Sequence, residues 1–97
     1  MNTVNLLVEL HLKDSEAKPF AEMFRREFIS RSRTEAGCQL YDLWVDSKDA
    51  TRMTIVERWE SQAALDVHMA QDWFKIWAPK MEAALQEPLV VRFLRTA

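Results

Sequence analysis

Thiols, glycine and net charge are all scarce in this chain, and each scarcity narrows what it can do. A single cysteine, Cys38, excludes an internal disulfide framework, a four-thiolate iron–sulfur site and a CxxC redox pair. A single glycine, Gly37, leaves no phosphate-cradling loop, no GxGxxG turn and no Gly-rich RNP strand of the kind RNA-recognition domains use. With 13 Lys and Arg against 15 Asp and Glu, the strongly basic face of a dedicated nucleic-acid binder is missing. Residues 34–66 are outright acidic, carrying Lys48, Arg52 and Arg58 against seven carboxylates. Histidine is equally sparse. His11 and His68 lie far apart, with no HxxxH or HExxH spacing, so no metal first shell is legible. No apolar run approaches the ~20 residues that span a bilayer. The opening MNTVNLLVELHLKDSE lacks a basic n-region and turns acidic too early for a signal peptide. The expectation is one soluble, cytoplasmic domain over residues 1–97.

What the chain has in quantity is apolar and aromatic surface. Of its 97 residues 48% are hydrophobic, with four Trp and five Phe. A small domain buries a limited share of its surface, so part of this excess is expected to hide against a partner or around a ligand. Residues 4–12 alternate Val4, Leu6, Val8, Leu10 and Leu12 against Asn5, Leu7, Glu9 and His11, the periodicity of a strand. Phe20, Met23, Phe24 and Phe28 then recur at helical spacing over 18–33. The cations Arg25, Arg26, Arg31 and Arg33 toward the end of that helix read as a solvated face that complements its dipole. Gly37 closes the segment. Cys38–Val45 and Arg52–Trp59 read as strands joined by the turn residues Asp46-Ser47-Lys48-Asp49. Ser61 is placed to cap a helix bearing Leu65, His68 and Met69, and Asp72 to cap a continuation holding Trp73, Ile76, Trp77, Met81 and Ala84. Pro79 is expected to kink or restart it, because proline removes one backbone bond and clashes with the preceding turn, leaving the helix discontinuous near residues 70–80. Pro88 stops it, and Leu89–Leu94 is the last strand. The order β-α-β-β-α-β is the split βαβ of α+β, ferredoxin-like folds, whose antiparallel sheet is covered by helices on one face.

Two stretches are more specific. Glu35-Ala36-Gly37-Cys38-Gln39-Leu40-Tyr41 leads into the second strand, and Glu57-Arg58-Trp59-Glu60-Ser61, Ala64-Leu65 and His68 follow later. In this order and at this length they resemble the antibiotic biosynthesis monooxygenase superfamily, especially its small quinol-monooxygenase-like members, whose pattern runs approximately E-x-G-C-x-x-Y, then E-x-W-x-S-x-x-A-L-x-x-H. The resemblance covers essentially the whole chain. It implies a homodimeric α/β barrel with two sheets packed face to face, a pocket between sheet and helices, and oxidation of dihydroxyarenes by molecular oxygen without metal or flavin. One relative instead isomerises a phosphorylated signal molecule, and another branch degrades haem. This sequence has Val8, His68 and Ala78 where the haem branch has Asn, Trp and His, which speaks against haem chemistry. It also reads Gln71-Asp72-Trp73-Phe74 where many members have a second histidine.

Each candidate residue has a functional and a structural reading. His68 shares a face with Leu65 and Met69. Its imidazole is suited to proton transfer at neutral pH, and with the resemblance it is the candidate catalytic base. Glu57 lies on a strand face otherwise made of Met53, Ile55 and Trp59, so its carboxylate must be paired, for instance by an Arg across the sheet, or tuned for chemistry. Tyr41 is placed to hydrogen-bond a substrate oxygen, and Trp73 and Trp77 to wall a pocket opened at Pro79. These four are the candidate substrate-binding residues, with no cofactor and no metal ligand. Trp59 reads as core, Cys38 as a small buried hydrophobe and His11 as surface. The leading function is a cofactor-independent monooxygenase acting on a small aromatic hydroquinone or polyphenol with O2. The alternatives are an isomerase working through an enediol, which needs a cationic grip on phosphate, and a non-catalytic dimeric binding module.

Overall fold

A computed structural model describes residues 2–97. Four strands form one antiparallel sheet: β1 (Val4–His11), β2 (Cys38–Val45), β3 (Arg52–Trp59) and β4 (Val90–Leu94). They are ordered β2-β3-β1-β4, with β1 paired to both β3 and β4. The alternation in β1 sets its faces: Leu6, Val8 and Leu10 are buried under the helices, and Leu12 continues the row in a single bridge to Leu85. In β3, Met53, Ile55, Glu57 and Trp59 are buried on the same face. All the strands match their expected positions. β2 and β3 have the expected bounds, β1 stops one residue early at His11, and β4 starts one residue late at Val90.

The first helical segment begins at α1 (Ala17–Phe24), runs through a π-helical stretch (Arg25–Ile29) and ends in the single turn α2 (Ser30–Ser32). Pro19 is accepted in its first turn, where the missing N–H has no partner to lose. Every fourth residue of an α-helix drifts about 40° around the axis, because a turn holds 3.6 residues. The wider π turn rotates less per residue and returns Phe28 to line. Phe20, Phe24 and Phe28 therefore stack in a row, with centroids 5.7 and 4.7 Å apart, and all are sealed from solvent.

The second helical segment is broken within the expected range 70–80, but at Gln71 rather than at Pro79. α3 (Gln62–Ala70) is capped by Ser61, whose hydroxyl accepts the Ala64 N–H at 3.1 Å. The chain leaves the helix at Gln71 (φ −62°, ψ 141°) and resumes as α4 (Asp72–Ala83), with Pro79 inside it. The reason is the register of apolar residues. A straight continuation from Leu65 and His68 would turn Asp72, Lys75 and Pro79 toward the sheet. Re-entry after Gln71 instead presents Phe74, Ala78 and Met81, and leaves Pro79 exposed. Asp72 makes no side-chain cap. Among the described residues, no helix is long and apolar enough to cross a membrane.

Gly37 makes the turn into β2 possible. Its φ is +85°, and a β-carbon there would lie 2.6 Å from the Ala64 Cβ and 3.0 Å from the Glu60 Cγ. Gly37→Ala combines a left-handed backbone with a steric clash, so it should destabilise the fold by about 1–3 kcal/mol in denaturant unfolding. A change within experimental error would mean that the loop moves away from α3 without cost.

Candidate active site

A cavity of about 200 Å³ lies between the sheet and the second helical segment. Its floor comes from inward residues of three strands, among them Leu6, Val8 and Ile55. Its roof comes from Leu65, Phe74 and Met81, and Val91 and Phe93 of β4 form one flank. The polar side chains among its lining residues are Tyr41, Glu57, His68 and Glu82. Sequence reasoning named the first three, and the fold gathers them from β2, β3 and α3 into one space. Phe74 and Glu82 were not singled out.

His68 is 1% exposed, and its Nδ1 lies 2.7 Å from Glu35 Oε1, within hydrogen-bond distance. The other oxygen of that carboxylate accepts the Trp73 indole N–H at 3.1 Å. Around the imidazole pack Trp59, Phe74 and Tyr41, with centroids at 4.5, 4.9 and 5.4 Å. Burial pulls the His68 pKa below its ordinary value, while the hydrogen bond and charge of Glu35 oppose that fall. The ring is thus held neutral near pH 7, with one nitrogen committed to Glu35.

Glu57 is 7% exposed and, among the described residues, has no arginine partner. The register opposes it to Leu6 and Tyr41, and Arg58 beside it points to the other face of the sheet. Its hydrogen-bond donor is the indole of Trp59, two residues along the same strand face, at 3.0 Å. Burial pushes its pKa up to about 7, a rise that the Trp59 hydrogen bond only partly offsets. Tyr41 is pushed well above the usual phenol value, first by burial and then by the charge of Glu57.

The two remaining candidates do not line the cavity. Trp73 packs edge-on against Phe28 at 5.5 Å and turns its N–H to Glu35, so it contacts His68 from behind. Trp77 is half-buried beside the row of Phe74, Ala78 and Met81, with Lys80 Nζ 4.5 Å above its ring. Both departures follow from the break at Gln71, which sets the inward face of α4. Glu35 is the residue that sequence reasoning left without a role. It opens the first motif, but 33 positions separate it from His68 and only the fold brings them together. Among the described residues, no three His, Cys, Asp or Glu side chains are grouped to hold a metal.

The raised Glu57 pKa has a definite sign in stability. The folded protein holds this proton up to about pH 7, whereas the unfolded chain releases it near 4.5, so stability is lost as pH rises through that window. His68, with a lowered pKa, acts oppositely as pH rises toward 6.5. Glu57→Gln isolates the first effect: wild type should lose on the order of 2–3 kcal/mol relative to the variant between pH 4.5 and 8. Urea unfolding of both proteins across that range measures it, and a pH-independent difference would contradict the burial of an ionisable Glu57.

The sequence and the fold have counterparts in known proteins. The family model described as antibiotic biosynthesis monooxygenase matches residues 3–80. The chain is 30% identical over 70 residues to the uncharacterized protein sll1783 of Synechocystis, covering 72% of this chain and 48% of that one. It is 32% identical over 66 residues to Rv0793 of Mycobacterium tuberculosis, covering 68% and 64% respectively. The matched segments thus span about half and just under two thirds of these curated relatives. Among solved structures, PA3566 from Pseudomonas aeruginosa superposes with a TM-score of 0.87 at 28% identity, over 100% of this chain and 97% of that one. A crystal structure of an antibiotic biosynthesis monooxygenase superposes with a TM-score of 0.89 at 26% identity, over 97% and 98%. The chain, from the Glu35 and Glu57 motifs to the four-stranded sheet beneath His68, belongs to the antibiotic biosynthesis monooxygenase family.

Proposed function

We propose that this protein is a cofactor-independent monooxygenase that oxidises a small aromatic hydroquinone or polyphenol with O2. The observation that carries this reading is the cavity itself: apolar walls, one neutral imidazole and one carboxyl near its midpoint at neutral pH. His68 is the base that takes a phenolic proton, and Glu57 and Tyr41 are the groups that hydrogen-bond the substrate oxygens. The phenolate then transfers one electron to O2, and the resulting radical pair joins at a ring carbon as a hydroperoxide. Loss of water leaves a hydroxyquinone, so one hydroquinone and one O2 become one hydroxyquinone and one water. The walls of Leu, Ile and Phe keep bulk water from the intermediates.

The isomerase reading needs a cation for the phosphate. Among the described residues, no Lys or Arg lines the cavity to supply one. A binding module filled by its own aromatics would leave no room, whereas about 200 Å³ remains open.

The substrate reading is tested by oxygen uptake across a panel of hydroquinones with metal chelated. His68→Gln should lower turnover by roughly 10²–10⁴, the usual contribution of positioned proton transfer, while the protein remains folded. Near wild-type turnover in that variant would make His68 structural.

The same reading includes a homodimer joined sheet to sheet. The face of the sheet away from the helices carries Leu7 opposite Val56, together with exposed Trp44, Val90 and Leu94. All five residues of β4 are exposed in the single chain, an apolar edge that a second copy would cover. Interfaces of this obligate kind bury ~2,000 Å² or more. Sedimentation at micromolar concentration should show a species of twice the chain mass, and a single 11.4 kDa species would reject the dimer.

A further inference from the structure

We infer that Glu35, clamped by Trp73, is a positioning residue that holds His68 as its Nδ1–H tautomer and so reserves Nε2 for the cavity. The inference deepens the reading of His68 as the base. It rests on three features of the structure that are independent of any substrate.

The first is that the carboxylate is fixed through both oxygens. Oε1 takes the His68 Nδ1–H at 2.7 Å and Oε2 takes the Trp73 indole N–H at 3.1 Å. A carboxylate that bonded only the imidazole could rotate away, but one held at both ends defines a plane and a distance. The second is that the clamp is itself held. The Trp73 ring meets Phe28 edge-on at 5.5 Å, and the Arg31 guanidinium lies 5.6 Å from its centroid. The third is that no competing partner reaches the imidazole. Among the described residues, the His68 imidazole makes no other hydrogen bond, although the residue is almost completely enclosed and lines the cavity.

An ionised carboxylate only accepts, so the proton between Glu35 and a neutral His68 belongs to Nδ1. The lone pair is then on Nε2. The alternative tautomer would set two acceptors 2.7 Å apart and is disfavoured by their repulsion. The other titratable groups around the ring do not take over this task. Tyr41 on β2 presents a tilted ring face and stays protonated, Glu57 on β3 is engaged by Trp59, and Glu82 on α4 belongs to the cavity wall. Cys38 at the start of β2 is a half-buried thiol whose pKa is raised by burial, so it adds no charge near neutrality.

The test reads the tautomer directly and needs no substrate. Long-range 1H–15N correlation spectra of the 15N-labelled full chain distinguish the two neutral tautomers, and the only other histidine, His11, is assigned with His11→Gln and serves as control. In wild type, His68 should appear as the Nδ1–H form through neutral pH. In Glu35→Gln the two tautomers should mix and the titration midpoint should move down, because the stabilising charge is gone, while His11 is unchanged. Trp73→Phe keeps a ring against Phe28 but removes the indole donor, so it should also mix the tautomers while retaining the carboxylate charge. On a hydroquinone that wild type oxidises, Glu35→Gln should lower kcat roughly tenfold or more with little change in KM.

A wild-type His68 in the Nε2–H form would overturn the inference. So would a tautomer and midpoint unaltered in Glu35→Gln or, if that variant is unfolded by circular dichroism, a tautomer unaltered in Trp73→Phe. If no hydroquinone is oxidised by any form of the protein, the monooxygenase reading fails, and the spectra still decide whether Glu35 sets the tautomer.

Discussion

An imidazole enclosed by four aromatic rings has to find a hydrogen-bond partner inside the protein, and much of this structure follows from how Glu35 reaches His68. Glu35 lies in the turn between α2 and β2, tied by its N–H to Ser32 O at 3.0 Å and by its carbonyl to the Cys38 N–H at 3.2 Å. Two residues on, Gly37 comes against Ala64, closer than any β-carbon would allow, and its carbonyl accepts the Glu60 N–H at 2.8 Å. His68 is one helical turn beyond Ala64 on the same side of α3. The absence of a side chain at position 37 is therefore what lets the carboxylate at 35 meet the imidazole at 68.

The site uses two tryptophan–glutamate hydrogen bonds for different ends. Trp73 donates to a carboxylate that also faces a histidine, and that pair is placed at the margin of the core. Trp59 donates to a carboxylate with no further partner, on the floor of an apolar cavity. One indole N–H does not replace the hydration of a carboxylate, so Glu57 keeps its proton to about pH 7. Carboxyl groups of the same chemical type thus end with different properties, and the difference lies in what else each one touches.

Much of this was legible from residue order. Alternation along residues 4–12 and 52–59 placed Glu57 among buried apolar side chains, and the Ser61 cap and the spacing of Leu65 and His68 placed the imidazole on the inward face of α3. The interruption of the second helical segment was legible only in part. Pro79 is the stronger local breaker, yet the break is at Gln71, because only there does the chain rotate Phe74, Ala78 and Met81 onto the sheet. Trp73 and Trp77 were read from a break at Pro79 and so were assigned to a wall they do not form.

The sequence by itself determined the strands, the Ser61 cap and the faces on which Tyr41, Glu57 and His68 sit, because periodicity and capping act within a few residues. Tertiary structure alone decided who their partners are. Whether Glu57 meets an arginine or an indole depends on strand register, and whether His68 meets a carboxylate depends on a loop 33 residues away. Those choices are made by packing between elements, where distance along the chain carries no information about distance in space.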